Sequence, residues 1–231
     1  MTAIAENLSV VRKRIEEACL RCGRNPSDVR LVGVTKTVPV ERIREGVLAG
    51  ITILGENYIQ EARKKIELLS DMKVSWHFIG HLQSNKAAVA AECFDWVETV
   101  DRESLARELN RQVQKRGKRL SVLLQVNVGE EESKSGVSPG GLPDLFRAVS
   151  QYDGLIVRGL MTLPPYFDDP NAVRPYLRML RQLLEQLREA ASRPEELTEL
   201  SMGMSNDFEV AIEEGSTLVR IGTALFGSRS T

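Results

Sequence analysis

The sequence predicts an α/β chain folded as a single-domain (β/α)8 TIM barrel, residues 1–231, with one additional helix ahead of the first strand. Short apolar runs alternate with amphipathic helical segments along the chain, which implies parallel strands joined by helical crossovers. There are eight such runs in 231 residues, the strand number of a closed barrel near the lower end of its usual length. No stretch rich in Pro, Gly or Ser divides the chain. An open doubly wound sheet shows the same alternation, but the first run lacks the G-x-G-x-x-G turn of a dinucleotide fold.

The first helix is read at Leu8 to Leu20, amphipathic, with Gly23 as its C-cap. The strands follow at Val29–Thr35, Ile51–Leu54, Val74–Ile79, Trp96–Thr99, Leu120–Val126, Leu155–Met161, Glu199–Ser201 and Leu218–Ile221. Helical periodicity between them marks Glu41–Ala49, Ile59–Ser70, Arg102–Gln114, Leu142–Ser150, Val173–Ala191 and Asp207–Glu214.

Hydrophobic residues make up 42% of the chain, enough for a sizeable core. Net charge is −1 and the pI near 6.2, so no global field favours nucleic acid or anionic lipid. A mean hydropathy of −0.21, with charges throughout, argues against a membrane span. Met1–Glu6 shows no basic segment followed by an apolar one, so a cytoplasmic location is expected. The basic run Lys115–Arg119 sits at a helix end, where cations favour the dipole, and no aromatic residue interleaves it.

No metal site is expected. Cys19 and Cys22 form a C-x-x-C pair at the end of a helix, with no second pair for zinc and no preceding strand of a thioredoxin-like unit. Cys93 reads as a small buried apolar residue. His77 and His81 are four apart, but Trp76–Ile79 reads as a strand, so they do not share a helical face. His77 is expected to be partly buried and His81 to line the barrel mouth.

In this fold, ligands bind at the carboxyl ends of the strands, where the sequence gathers its polar residues. Lys36 follows the first strand, Gly55-Glu56-Asn57-Tyr58 the second, and Gly80-His81-Leu82-Gln83-Ser84-Asn85-Lys86 the third. Asn127, Met161-Thr162, Ser201–Asn206 and Arg220-Ile221-Gly222-Thr223 mark the exits of strands five to eight. A lysine carried out of a buried strand is held by rigid backbone and partly desolvated, as in Schiff-base sites; the alternative is an amine that only snorkels to the surface. The glycines of a P-loop are absent before Lys36. The loops after strands seven and eight place small residues before a helix start, which suits an anion as well as ordinary capping. An amine and a phosphate cradle together suggest pyridoxal 5′-phosphate (PLP). Arg220 would lie beside its ring, unable to accept a proton and keeping the pyridine nitrogen unprotonated, or would form an ion pair at the mouth with Glu56 or Asp207.

The runs Val34-Thr35-Lys36, Gly55–Tyr58, Trp76–Lys86, Gly159-Leu160-Met161, Leu200–Ser205 and Arg220–Thr223 resemble the pyridoxal phosphate homeostasis protein family, over about Val10 to Gly227. The resemblance implies the barrel shared with the N-terminal half of alanine racemase, and a Schiff base between PLP and Lys36. It also implies Asn57 near the cofactor, Ser201, Gly222 and Thr223 at its phosphate, and Arg220 at the pyridine nitrogen. The family is understood to hold, buffer or deliver PLP to apo-enzymes without catalysing a reaction, so no catalytic residue is expected. A weak PLP-dependent racemase is the alternative. Alanine racemase takes a second acid/base tyrosine from a β-rich domain, and this chain stops at Thr231, soon after the last barrel segment. The stretch Asn127–Gly136 also follows the family pattern, making Lys134 a candidate second amine during transfer. PLP and apo PLP-dependent enzymes are the expected partners, neither nucleic acid nor membrane, and the expected state is a monomer.

Overall fold

The computed structural model describes residues 2–227; Met1 and residues 228–231 of the expected domain lie outside them. Eight strands close in chain order into a parallel barrel. They are β1 (Arg30–Val34), β2 (Ile53–Glu56), β3 (Ser75–Phe78), β4 (Trp96–Val100), β5 (Leu120–Gln125), β6 (Leu155–Met161), β7 (Glu199–Ser201) and β8 (Leu218–Ile221). Closure rests on β1 and β8, which pair from Arg30↔Leu218 to Gly33↔Ile221, and this rules out the open sheet. Around the barrel run α1 (Ala3–Arg21), α2 (Val40–Leu48), α3 (Ile59–Leu68), α4 (Ala87–Cys93), α5 (Glu103–Gln114), α6 (Leu142–Val149), α7 (Arg174–Ala190), α8 (Phe208–Glu213) and the single turn α9 (Thr223–Phe226).

Three elements differ from the sequence reading for identifiable reasons. Helix α1 starts at Ala3, because the Thr2 hydroxyl accepts a hydrogen bond from the Ala5 N–H and caps it there. Strand β2 runs on through Gly55 and Glu56, so Glu56 belongs to the wall rather than to a loop. Helix α4 escapes a periodicity search because Ala87-Ala88-Val89-Ala90-Ala91 is small and apolar all round, with Ala87, Ala90 and Ala91 buried.

Two apolar layers hold the fold. The larger lies between strands and helices; the smaller fills the barrel with Val32, Ile53, Leu123, Met161 and Leu218, against which Trp96 packs. Helix α1 contributes Ile4, Leu8, Val11, Ile15, Ala18 and Cys19 to the larger layer. Each large aliphatic chain there is worth about 1.5–3 kcal/mol, whereas its surface ion pairs Arg14–Glu209 and Arg21–Glu213 are worth about 1 kcal/mol or less, so burial docks the helix. Cys19 is core, its thiol pKa pushed up by burial, and the Cys22 thiol donates to the Ala18 carbonyl. Gly159, at φ 148, lets β6 meet β7: a Cβ there would lie 1.9 Å from the Glu199 carbonyl oxygen.

Candidate functional site

Because side chains alternate across a strand, each strand contributes to both faces of the barrel wall near its carboxyl end, and each face carries one buried charged cluster. On the outer face, Thr35 and Glu56 point toward α3. Lys65, 5% exposed, reaches in from that helix to the Thr35 carbonyl (2.5 Å), Glu56 Oε1 (2.8 Å) and Glu61 Oε1 (2.6 Å). The Thr35 hydroxyl donates to Glu56 Oε1 at 2.6 Å, and the Thr37 N–H donates to Glu61 Oε1 at 2.6 Å. Burial pushes the Glu56 carboxyl pKa up, against the hydrogen bonds from Lys65 and Thr35, and its Oε2 is buried without a partner.

Inside the barrel a second chain crosses from β3 to β8. His77 stacks on Trp96 with centroids 5.0 Å apart, and its Nδ1 lies 2.6 Å from Glu98 Oε1. Ser201 donates to Glu98 Oε2 at 2.5 Å and accepts from Arg220 Nη1 at 2.7 Å, while Arg220 Nη2 donates to the Thr162 carbonyl at 2.8 Å. All four side chains are at most 3% exposed. Burial alone would raise the Glu98 pKa, but His77, Arg220 and Ser201 together hold the carboxyl below its usual range. Burial lowers the Arg220 pKa against the opposing charges of Glu98 and Asp207.

Above these clusters opens a cavity of about 360 Å³, lined by Lys36, Asn57, Arg220, Gly222, Thr223 and the 204–207 loop. Five of the six sequence-derived site residues therefore meet at one cavity. Ser201 is the exception: it lies beneath Arg220, wholly buried, with its hydroxyl committed to Glu98 and Arg220. The Arg220 side chain from the neighbouring strand covers it, and Ser205, four residues later, reaches the cavity instead. Neither ion pair considered for Arg220 forms. Glu56 is across the wall with Lys65, and Asp207 Oδ1 accepts the Met204 N–H at 2.6 Å.

Asn57 is placed by contact with the next strand exit. A Cβ on Gly80 would lie 2.2 Å from the Asn57 carbonyl oxygen, so only glycine permits this approach. Asn57 Oδ1 is buried without a partner, a polar atom waiting for a donor. Among the described residues lining the cavity, the backbone N–H groups of Ser205, Asn206 and Thr223 make no hydrogen bond within the protein, so the β7 and β8 exits offer donors to an anion. The segment after β6 adds an apolar wall beside the β7 loop, from Leu163, Pro165, Tyr166 and Phe167, with Tyr166 74% exposed at the rim. Lys134 lies behind that segment, its amine bonded to Glu131 Oε1 and the Pro164 carbonyl. His81, half exposed, contacts the Ser135 hydroxyl at 3.0 Å, and His77 is fully rather than partly buried.

The sequence reading missed Lys65, Glu61 and Glu98. Lys65 carried a signal: it shares the Ile59, Ala62 face of α3, where an apolar residue is the default. Glu98 stood in the middle of an apolar strand, where a carboxylate needs a partner.

The alanine racemase N-terminal domain family model matches residues 1–230. The pyridoxal phosphate homeostasis protein of Aquifex aeolicus is 47% identical over 224 residues, spanning 97% of both chains, and that of Pseudomonas aeruginosa is 47% identical over 229 residues, spanning 99% of this chain and 97% of its own. The chain belongs to the pyridoxal phosphate homeostasis protein family. Among solved structures, PipY of Synechococcus elongatus with PLP bound superposes with a TM-score of 0.85 at 36% identity, covering 97% of this chain and all of PipY. Alanine racemase of Corynebacterium glutamicum shares the fold alone, with a TM-score of 0.71 at 16% identity, over 98% of this chain and 61% of its own. The homeostasis family thus has the racemase barrel, and this member carries in its wall the two buried charged clusters described above.

Proposed function

We propose that this chain binds PLP in the β1–β8 cavity as a Schiff base on Lys36, and buffers the cofactor or delivers it to apo-enzymes in the cytoplasm as a monomer. One observation carries the reading: an amine, a guanidinium and a set of unpartnered backbone donors face one cavity of about 360 Å³. That donor set fits an aldehyde bearing a phosphate. Gly222, Thr223 and the 205–206 amides would hold the phosphate, Asn57 would meet a polar ring substituent, and Arg220 would face the pyridine nitrogen. Ser201 serves that end from below, by orienting Arg220. When bound, PLP supplies an electrophilic carbonyl and a ring that withdraws electrons. A guanidinium does not release its proton to the ring nitrogen, so Arg220 leaves that withdrawal weak. The names of the relatives and the PLP bound to PipY support the same reading.

The racemase alternative has one observation in its favour, a phenol at the cavity, Tyr166. Its 74% exposure leaves it open to water, which favours the carrier role over two-base proton transfer. No helix among the described residues is long and apolar enough to cross a membrane. The test is absorbance titration with PLP, followed by incubation of the loaded protein with L- and D-alanine in deuterated solvent. Imine absorbance without α-proton exchange, together with reactivation of an apo-enzyme, is expected. Sustained exchange that depends on Tyr166 would establish the racemase instead. The Lys134→Ala variant is expected to slow reactivation while leaving binding intact.

A further inference from the structure

Lys36 is flanked by two unusual residues. Before it, the Thr35 carbonyl accepts from the buried Lys65 ammonium at 2.5 Å, and the Thr35 hydroxyl is tied to Glu56. After it, Thr37 adopts φ 62, the left-handed region that a β-branched residue avoids, and its N–H is held by Glu61 Oε1 at 2.6 Å. Glu61 and Lys65 are themselves joined at 2.6 Å, one turn apart on α3. A single helix therefore grips the peptide groups on both sides of one lysine. A residue in an unfavourable backbone conformation persists only where its surroundings hold it, and such residues cluster at functional sites.

We propose that Glu61 and Lys65 are positioning residues for Lys36: they fix the backbone from Thr35 to Thr37 so that the Lys36 amine is presented to the cavity at an angle suited to attack on a carbonyl carbon. The inference rests on the PLP reading above. In the step it serves, the Lys36 nitrogen bonds to the aldehyde carbon of PLP. The carbonyl oxygen leaves as water with the two hydrogens of the neutral amine, and a C=N bond remains. Neither Glu61 nor Lys65 gains or loses a proton overall. Lys65, with three acceptors around its ammonium, has no free lone pair and is not itself the nucleophile. The arrangement thus assigns different tasks to two nearby lysines, one locked as an ammonium to hold backbone and one left facing the cavity.

Binding and imine formation are separable with two ligands. PLP forms the imine; pyridoxine 5′-phosphate has the same ring and phosphate but an alcohol in place of the aldehyde, so it reports only the non-covalent site. The clamp is tested with Glu61→Ala, with Glu61→Gln, which keeps an oxygen acceptor for Thr37, and with the double variant Glu56→Gln/Lys65→Met, which avoids a buried unpaired carboxylate. Glu61 is part-exposed, so its variants are expected to fold, and melting curves check all three. Misplacing a reacting group is costly, so Glu61→Ala and the double variant are expected to lower the rate and extent of imine formation by about tenfold or more. Affinity for pyridoxine 5′-phosphate is expected to stay at the wild-type value, and Glu61→Gln to restore the imine. Wild-type imine formation in folded Glu61→Ala, or equal losses for both ligands, would overturn the proposal. Failure of the wild-type protein to form any imine would overturn the PLP reading itself, and that is seen before a variant is made.

Discussion

Two charged clusters are buried within the same barrel wall, one on each face, and they are built on different terms. The outer cluster of Thr35, Glu56, Glu61 and Lys65 ends on backbone: its contacts with the Lys36 segment are the Thr35 carbonyl and the Thr37 N–H. The inner cluster of His77, Glu98, Ser201 and Arg220 ends on a side chain that lines the cavity. In the outer one a carboxylate oxygen, Glu56 Oε2, has no partner and the carboxyl pKa is raised; in the inner one both Glu98 oxygens are bonded and the pKa is lowered. A backbone clamp controls where an amine stands, and a side-chain chain running through Glu98 and Ser201 controls the orientation of a guanidinium, although His77 Nε2 at its far end is buried without a partner.

The largest test breaks the outer cluster. Lys65→Met removes the counter-charge of a buried Glu56, whose side chain is fully buried, and is expected to cost about 3–5 kcal/mol in urea unfolding. Adding Glu56→Leu is expected to recover most of that loss, since apolar replacements of a buried pair are often neutral. Failure to recover would mean that the cluster shapes the β1 exit in a way that packing cannot replace. Next comes the joint between the two faces, where Gly80, after β3, presses on Asn57, after β2. Gly80→Ala forces those exits apart and is expected to cost about 1–3 kcal/mol and to weaken PLP binding, read by melting and titration.

The smallest effect, and the sharpest contrast, is in pH dependence. Glu56 has a folded pKa above its unfolded value of 4.5, so its protonation favours the folded state below 4.5, and that contribution is lost as pH rises through the folded pKa. Glu98 has a folded pKa below 4.5, so its contribution is present above 4.5 and lost as pH falls through the folded pKa. The stability difference between wild type and Glu56→Gln is therefore expected to grow as pH falls from 7 to 4, while that between wild type and Glu98→Gln shrinks. Unfolding curves at several pH values check both slopes, and parallel slopes would erase the distinction between the clusters.

The barrel was legible because each strand is a short apolar run between amphipathic helices; even the three-residue β7 was placed at Glu199–Ser201. Helix α4 was not, because an alanine-rich segment has no polar face to set a period. Lys36, Arg220, Gly222 and Thr223 were found as polar or glycine residues at strand ends and Asn57 through the family resemblance, and the cavity unites them. Ser201 lies below the cavity because the Arg220 side chain of the adjacent strand covers it, a contact between strands that no local pattern reports. The clusters were hidden for a different reason. Lys65 with Glu61 reads as an ordinary surface pair four residues apart, and His77, Glu98 and Arg220 are far apart in sequence until the barrel closes.

In the proposed function, Lys36 alone takes the cofactor. The measurement that tests it most directly is borohydride reduction of the protein loaded with PLP, followed by peptide mass spectrometry to locate the trapped pyridoxyl group. A single label on Lys36, absent from Lys36→Ala, is expected. A label on Lys134 or Lys65, or one scattered over surface lysines and undiminished in Lys36→Ala, would contradict it.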